Sequence, residues 1–250
     1  MLAMFATLST VMLFPLKSYA TELSEPIVLG QYFDIFRDPS KSITIEDILS
    51  GDYDQSFETS NQNYLFFWHT NDTIWLRLHT AEIMDNKQGP YWLESIDKLD
   101  NVELFLVKED GSYDQQKSGV AHINEQKIDY RSNVFTITDP STTAIYVKLD
   151  GVLPKSFMSY LYTTEGFLEK IISYKFFSGM FYGFMFALLI YNLFLFFSLK
   201  EKAYFYYVLY MLSFIFYQAT MNSLDLEIAG HFLPEWFFIR SLVISSNFLL

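Results

Sequence analysis

Cysteine is absent from this chain. That excludes disulfide staples and thiolate metal or redox chemistry, so any exported part must stand on its apolar core alone. Histidine is scarce, with four in 250 residues. His69 and His79 lie on different candidate strands and His122 in a polar loop, none with a second ligand at metal spacing. A Gly-rich phosphate loop, a nucleophile elbow and a zinc motif are also missing. Carboxylate pairs such as Asp52 and Asp54 do occur, but an acidic surface supplies them by chance. The residues therefore give no enzyme, no metal site and no cofactor.

Positive charge is the other shortage. Residues 21–175 hold 25 acids against 13 bases. An excess of this size favours solubility and argues against nucleic acid or anionic lipid as a partner, because no basic patch exists to displace counterions. From Phe176 onward charge nearly vanishes, leaving Lys200, Lys202, Arg240, Glu201, Asp225, Glu227 and Glu235. An acidic soluble part is thus followed by a membrane part. The start, MLAMFATLSTVMLFPLKSYA, has an apolar stretch too short to span and closes on Ser18-Tyr19-Ala20. It reads as a signal peptide over residues 1–20, although the usual basic start is absent.

Between residues 21 and 163 the pattern has period two, the mark of strands with one buried face. TIWLRLHT sets Ile74, Leu76 and Leu78 against Trp75, Arg77 and His79. NVELFLVK sets Val102, Leu104 and Leu106 against Glu103, Phe105 and Val107, and runs into an Asp110-Gly111 hairpin signal. NVFTIT and AIYVKLD follow, separated by an Asp139-Pro140-Ser141 turn. Shorter candidates are 64–69, 91–95 and 157–163. In TIEDILSG, Thr44 and Asp47 fit a capping box and Gly51 a helix stop. Roughly eight strands without a long helix predict an all-β sandwich or jelly roll. Residues 164–175 predict a helical connector.

Trp68, Trp75, Tyr91 and Trp92 are amphipathic, and Arg77 and Arg131 have the fork geometry that grips carboxylates or sugar hydroxyls. The candidate ligand residues are Trp75, Arg77, Trp92 and Arg131, with Trp75 and Arg77 on one strand face. Singly, each is better explained as core or as a stacked structural partner.

Residues 176–199 carry no charge, enough to cross a bilayer that needs about 20 residues. A second run covers 203–223, and a third begins near 237 and is still apolar at Leu250. The Lys200-Glu201-Lys202 turn makes the first two an antiparallel hairpin with its turn in the cytoplasm. Gly179, Gly183 and Ala187 recur every fourth residue, a stripe that lets another helix approach closely, and Asn192 is expected to bond across helices.

This order resembles the bacterial seven-transmembrane receptors with diverse intracellular signalling modules. The resemblance rests on Tyr182-Gly183, Tyr191-Asn192, the Lys200–Lys202 turn and Tyr204 with Tyr207. In the soluble part, YFDIFRDPSKSITIEDI, TIWLRLHT, YWLES, VELFLV and Arg131 with VFTIT are similar to the family's second type of extracellular sensor domain. The likeness implies a periplasmic jelly-roll sensor, in the bacterial inner membrane, for a small molecule or carbohydrate. It also implies further transmembrane helices and a cytoplasmic output, such as a diguanylate cyclase or histidine kinase, beyond residue 250. Self-association as a homodimer is compatible with it. On this reading the chain is an input fragment of a longer protein. The competing readings are a membrane-anchored carbohydrate- or ligand-binding module without output, and part of a transporter.

Overall fold

The computed structural model describes residues 25–78, 80, 83, 89–97, 99–122, 130, 132–152 and 154–222. The expected signal peptide, the third span at 237–250, His79 and Arg131 lie outside the described residues.

Among the described residues, twelve strands build the soluble part: β1 Ile27–Val28, β2 Phe33–Asp38, β3 Glu58–Thr59, β4 Leu65–Trp68, β5 Thr73–Leu78, β6 Tyr91–Ser95, β7 Asn101–Lys108, β8 Tyr113–Ser118, β9 Asn133–Ile137, β10 Thr142–Asp150, β11 Lys155–Phe157 and β12 Ser159–Thr163. One sheet runs β3-β2-β5-β10-β7-β8, a second β1-β12-β6-β9, and β11 pairs with β4. All pairings are antiparallel. The result is the expected sandwich. Its shared core takes Ile74, Leu76 and Leu78 from β5, Val102, Leu104 and Leu106 from β7, and Leu93, Phe135 and Leu161 from the opposing sheet.

The expectation of one buried face per strand holds only in part. The outer face of the six-stranded sheet carries a second apolar cluster, in which Trp75, Phe105, Val107 and Tyr146 meet Ile45 and Ile48. The last two come from helix α1, Ile45–Leu49. Thr44 and Asp47 close its capping box as predicted: the Thr44 hydroxyl accepts from the Asp47 N–H, and the Asp47 carboxylate accepts from the Thr44 N–H at 2.9 Å. Asp38 pins the approach to this helix. Its carboxylate accepts from Ser40 N–H and Oγ, Lys41 N–H and Ile43 N–H. Burial alone would raise its pKa, but these donors outweigh it and hold Asp38 below its ordinary value.

Helix α2, Thr164–Leu199, follows β12 without a break, so the predicted connector and first span are one helix of 36 residues. At 1.5 Å per residue it is ~54 Å long. It is the one described helix long and apolar enough to cross a membrane by length and composition. Lys200, in the left-handed region at φ 55°, ends it, and α3, Lys202–Met221, returns alongside. The hairpin packs through Met185 and Leu189 on α2 and Val208 and Met211 on α3.

The hairpin does not pack through the glycine stripe, and Asn192 bonds otherwise than expected. Among the described residues, Gly179, Gly183 and Ala187 form an exposed stripe, with nothing within 4 Å of where a Cβ on either glycine would sit. α3 packs on another face, that of Met185 and Leu189. Asn192 Nδ2 donates within its own helix, to the Leu188 carbonyl at 2.8 Å, where the amide satisfies itself locally. A bond across the hairpin comes instead from Asn222 Nδ2 to the Tyr182 hydroxyl at 3.2 Å.

Candidate functional site: the junction of domain and helix

The outer face of the four-stranded sheet is set by the pairings Tyr160 with Glu94, Tyr162 with Trp92, and Trp92 with Thr136. Left bare, this face would expose three large rings and a carboxylate. The first three turns of α2 cover it. Thr163 caps the helix, its hydroxyl accepting from the Gly166 N–H at 3.3 Å. Thr164 Oγ1 donates to the Pro90 carbonyl at 3.0 Å and accepts from the Trp92 indole N–H at 3.1 Å. One turn on, Phe167 is 1% exposed. Its ring stacks on Trp92 at 5.0 Å and 12°, and meets Tyr130 and Tyr162 at 5.9 and 5.7 Å.

The next turn brings charge. Glu94 is 0% exposed, and its carboxylate accepts from the Ser132 hydroxyl at 2.7 Å and pairs with Lys170 of α2. Lys170 Nζ also donates to the Tyr162 hydroxyl at 2.7 Å and sits 4.7 Å from the Tyr162 ring centroid. A buried carboxylate is costly unless its partner arrives in good geometry. Domain and helix therefore each carry half of a pair that is stable only when they are docked. Tyr174 closes the series on Tyr130 at 6.3 Å. Successive contacts of residues 164, 167 and 170 step back along β12, so α2 runs antiparallel to that strand before leaving the domain.

The sequence-predicted ligand residues do not assemble. Trp75 and Arg77 share a face as expected, but it is the outer face of the other sheet and it is covered. Trp75 is 0% exposed and stacks on Phe105 at 5.9 Å, so a solvent-borne ligand cannot reach its ring. Arg77 gives Nε and Nη2 to Asp34 and Nη1 to Asp54, with its guanidinium 4.5 Å from the Phe57 centroid. Burial would lower its pKa, yet the Asp34 hydrogen bonds and charge outweigh that and raise it. Its fork is occupied internally. Trp92 lies across the sandwich and belongs to the junction. Arg131 lies outside the described residues.

Sequence reasoning missed Glu94, Phe167 and Lys170. A signal was available: an acid on the same strand face as a tryptophan in YWLES, followed much later by a lysine one turn beyond a phenylalanine in the connector.

Comparison with known proteins agrees with this division of the chain. The family model described as 7TMR-DISM extracellular 2 matches residues 30–163. The model described as 7TM diverse intracellular signalling matches residues 174–250. A search of curated proteins returns no match. The β domain is extracellular and α2 lies at the start of a membrane region. Between the two matched segments lies the docked part of α2, and the chain belongs to the family of seven-transmembrane receptors with diverse intracellular signalling modules.

Proposed function

We propose that this chain is the input portion of a ligand sensor in a bacterial inner membrane, with its β domain in the periplasm. The domain takes a small molecule, with carbohydrate as the leading class, and reports it by changing how α2 docks. The change passes through the seven-helix region to a cytoplasmic output module, such as a diguanylate cyclase or histidine kinase. Any catalysis belongs to that module, and this segment performs binding and transmission. The observation that carries the reading is the continuity of α2, whose first turns are part of the domain's packing and whose remainder is the first span.

A ligand can shift docking only if it binds the docked and undocked arrangements with different affinity. The test places the chain in lipid nanodiscs, finds a ligand by thermal shift across a saccharide and metabolite panel, and follows hydrogen exchange at residues 164–175. A saturating ligand should change exchange there. Binding that leaves those amides unchanged would reduce the domain to a tethered binding module.

A further inference from the structure

Five large apolar side chains are exposed on the described part of the β domain: Tyr64, Phe66, Trp68, Ile96 and Val152. They share one end of the sandwich. Ile96 follows Ser95, which pairs with Ser159 at the start of β12. Val152 follows Asp150, which pairs with Asn101 at the start of β7. Trp68 pairs with Lys155, whose Nζ donates to the carbonyls of Thr70 and Gly151, both at 2.8 Å. The Tyr64 ring lies 6.3 Å from that of Tyr160, beside the start of β12.

This is also the end at which α2 leaves the domain. Lys170 of α2 is level with Glu94 and Tyr160. From Lys170 to Phe176, the first residue of the uncharged run, is about 9 Å along the helix. From Glu94 to Ile96 is about 7 Å along the strand. The exposed patch and the start of the span therefore lie at about the same height.

We propose that this end of the domain rests on the surface of the bilayer that α2 crosses, with Trp68, Phe66, Ile96 and Val152 entering the headgroup region. The inference rests on α2 being a membrane span. Tryptophan and tyrosine favour this interface, where an apolar ring and a polar edge are both satisfied. Trp68 is 75% exposed and holds φ at 56°, in the left-handed region. A bulky residue is strained there. The β4–β11 register also slips between Lys155 and Ser156. Strand geometry is thus given up to turn the largest side chain outward. Three nearby acids are held in local hydrogen bonds: Asp97 accepts from the Ser156 hydroxyl at 2.7 Å, Asp100 from the Val152 N–H at 2.6 Å, and Asp150 from the Gly151 N–H at 2.8 Å. The occupant is a lipid surface rather than a soluble partner because the patch lies level with the start of the span on which the inference rests.

The test uses the full chain in phosphatidylcholine nanodiscs, with and without lipids brominated near the headgroup. Subtracting the fluorescence of Trp68→Phe isolates the Trp68 signal from those of Trp75, Trp92 and Trp236. Brominated lipid should quench that component and iodide should not, and Val152→Asp with Phe66→Asp should reverse both. Full access to iodide without lipid quenching overturns the proposal. Protection from both quenchers also overturns it, in favour of a second copy or a soluble ligand on the patch. Because the chain has no cysteine, one label at Phe186→Cys reports immersion of α2 separately. A lipid-immersed label beside an iodide-accessible Trp68 defeats the docking proposal alone, and a water-exposed label defeats the reading on which it rests.

Discussion

Replacing Lys170 with methionine removes the helix's half of the junction pair and keeps most of its stem volume. Glu94 stays 0% exposed, with the Ser132 hydroxyl as its remaining donor in this contact. Breaking a buried pair from one side costs about 3–5 kcal/mol. The Lys170 side chain keeps 27% of its exposure, so water reaches this pair more easily than a fully enclosed one. We therefore expect about 2–3 kcal/mol against docking, a roughly 30- to 150-fold fall in the docking constant. Once undocked, the first three turns of α2 lose their packing and fray, because a helix end in water is marginal by itself. Hydrogen exchange in nanodiscs should show that loss of protection across residues 164–175 with little change in the β core. Adding Glu94→Gln should recover part of it, giving a positive coupling in a double-mutant cycle. Exchange within twofold of the parent in Lys170→Met, or no recovery in the double variant, would show that the pair does not hold the junction.

Other perturbations separate core from site. Arg77→Gln should lower the unfolding free energy of the domain by about 2–4 kcal/mol in denaturant titration, since the nearly buried Asp34 loses its charged partner. It should leave ligand affinity unchanged, and the reverse outcome would restore Arg77 as a binding residue. Gly30→Ala would set its Cβ into the backbone carbonyl of Asn63, and should cost about 1–3 kcal/mol in the same assay. Asp38 is held below its ordinary pKa, and Asp139 is brought down to about 2 by the Ser141 hydroxyl and N–H and by Lys108. Their stabilising contribution is complete above the unfolded carboxylate range. It should be lost as pH falls from about 4 toward 2, and Asp38→Asn should flatten that part of a stability–pH curve.

The strands with strong alternation were legible because their turns announced them. Asp110-Gly111 gives the β7–β8 hairpin, with Gly111 at φ 80°. β8 itself, YDQQKS, could not be read as a strand because it has almost nothing apolar to alternate. A polar clasp holds it to the other sheet instead, Gln116 exchanging two hydrogen bonds with the Thr136 backbone. The second apolar cluster was hidden for a related reason. Trp75, Phe105 and Val107 look like the solvent side of their strands until α1 arrives from elsewhere in the chain to cover them. The same long-range covering turned Trp92 from a ligand candidate into a junction residue. Spacing reports which side chains share a face, but not what comes to lie on that face. Glu94 and Lys170 stand 76 residues apart, so no local pattern joins them.

The central claim is that α2 transmits as one rigid helix docked on the domain. The most direct test inserts alanines between Lys175 and Phe176 of the full-length receptor and measures output against ligand. Two alanines rotate the domain by about 200° relative to the span, and four by about 400°, close to one whole turn. The account predicts that two alanines abolish or invert the response and four largely restore it. A response indifferent to helical phase would contradict it, and would show that the helix only tethers the domain.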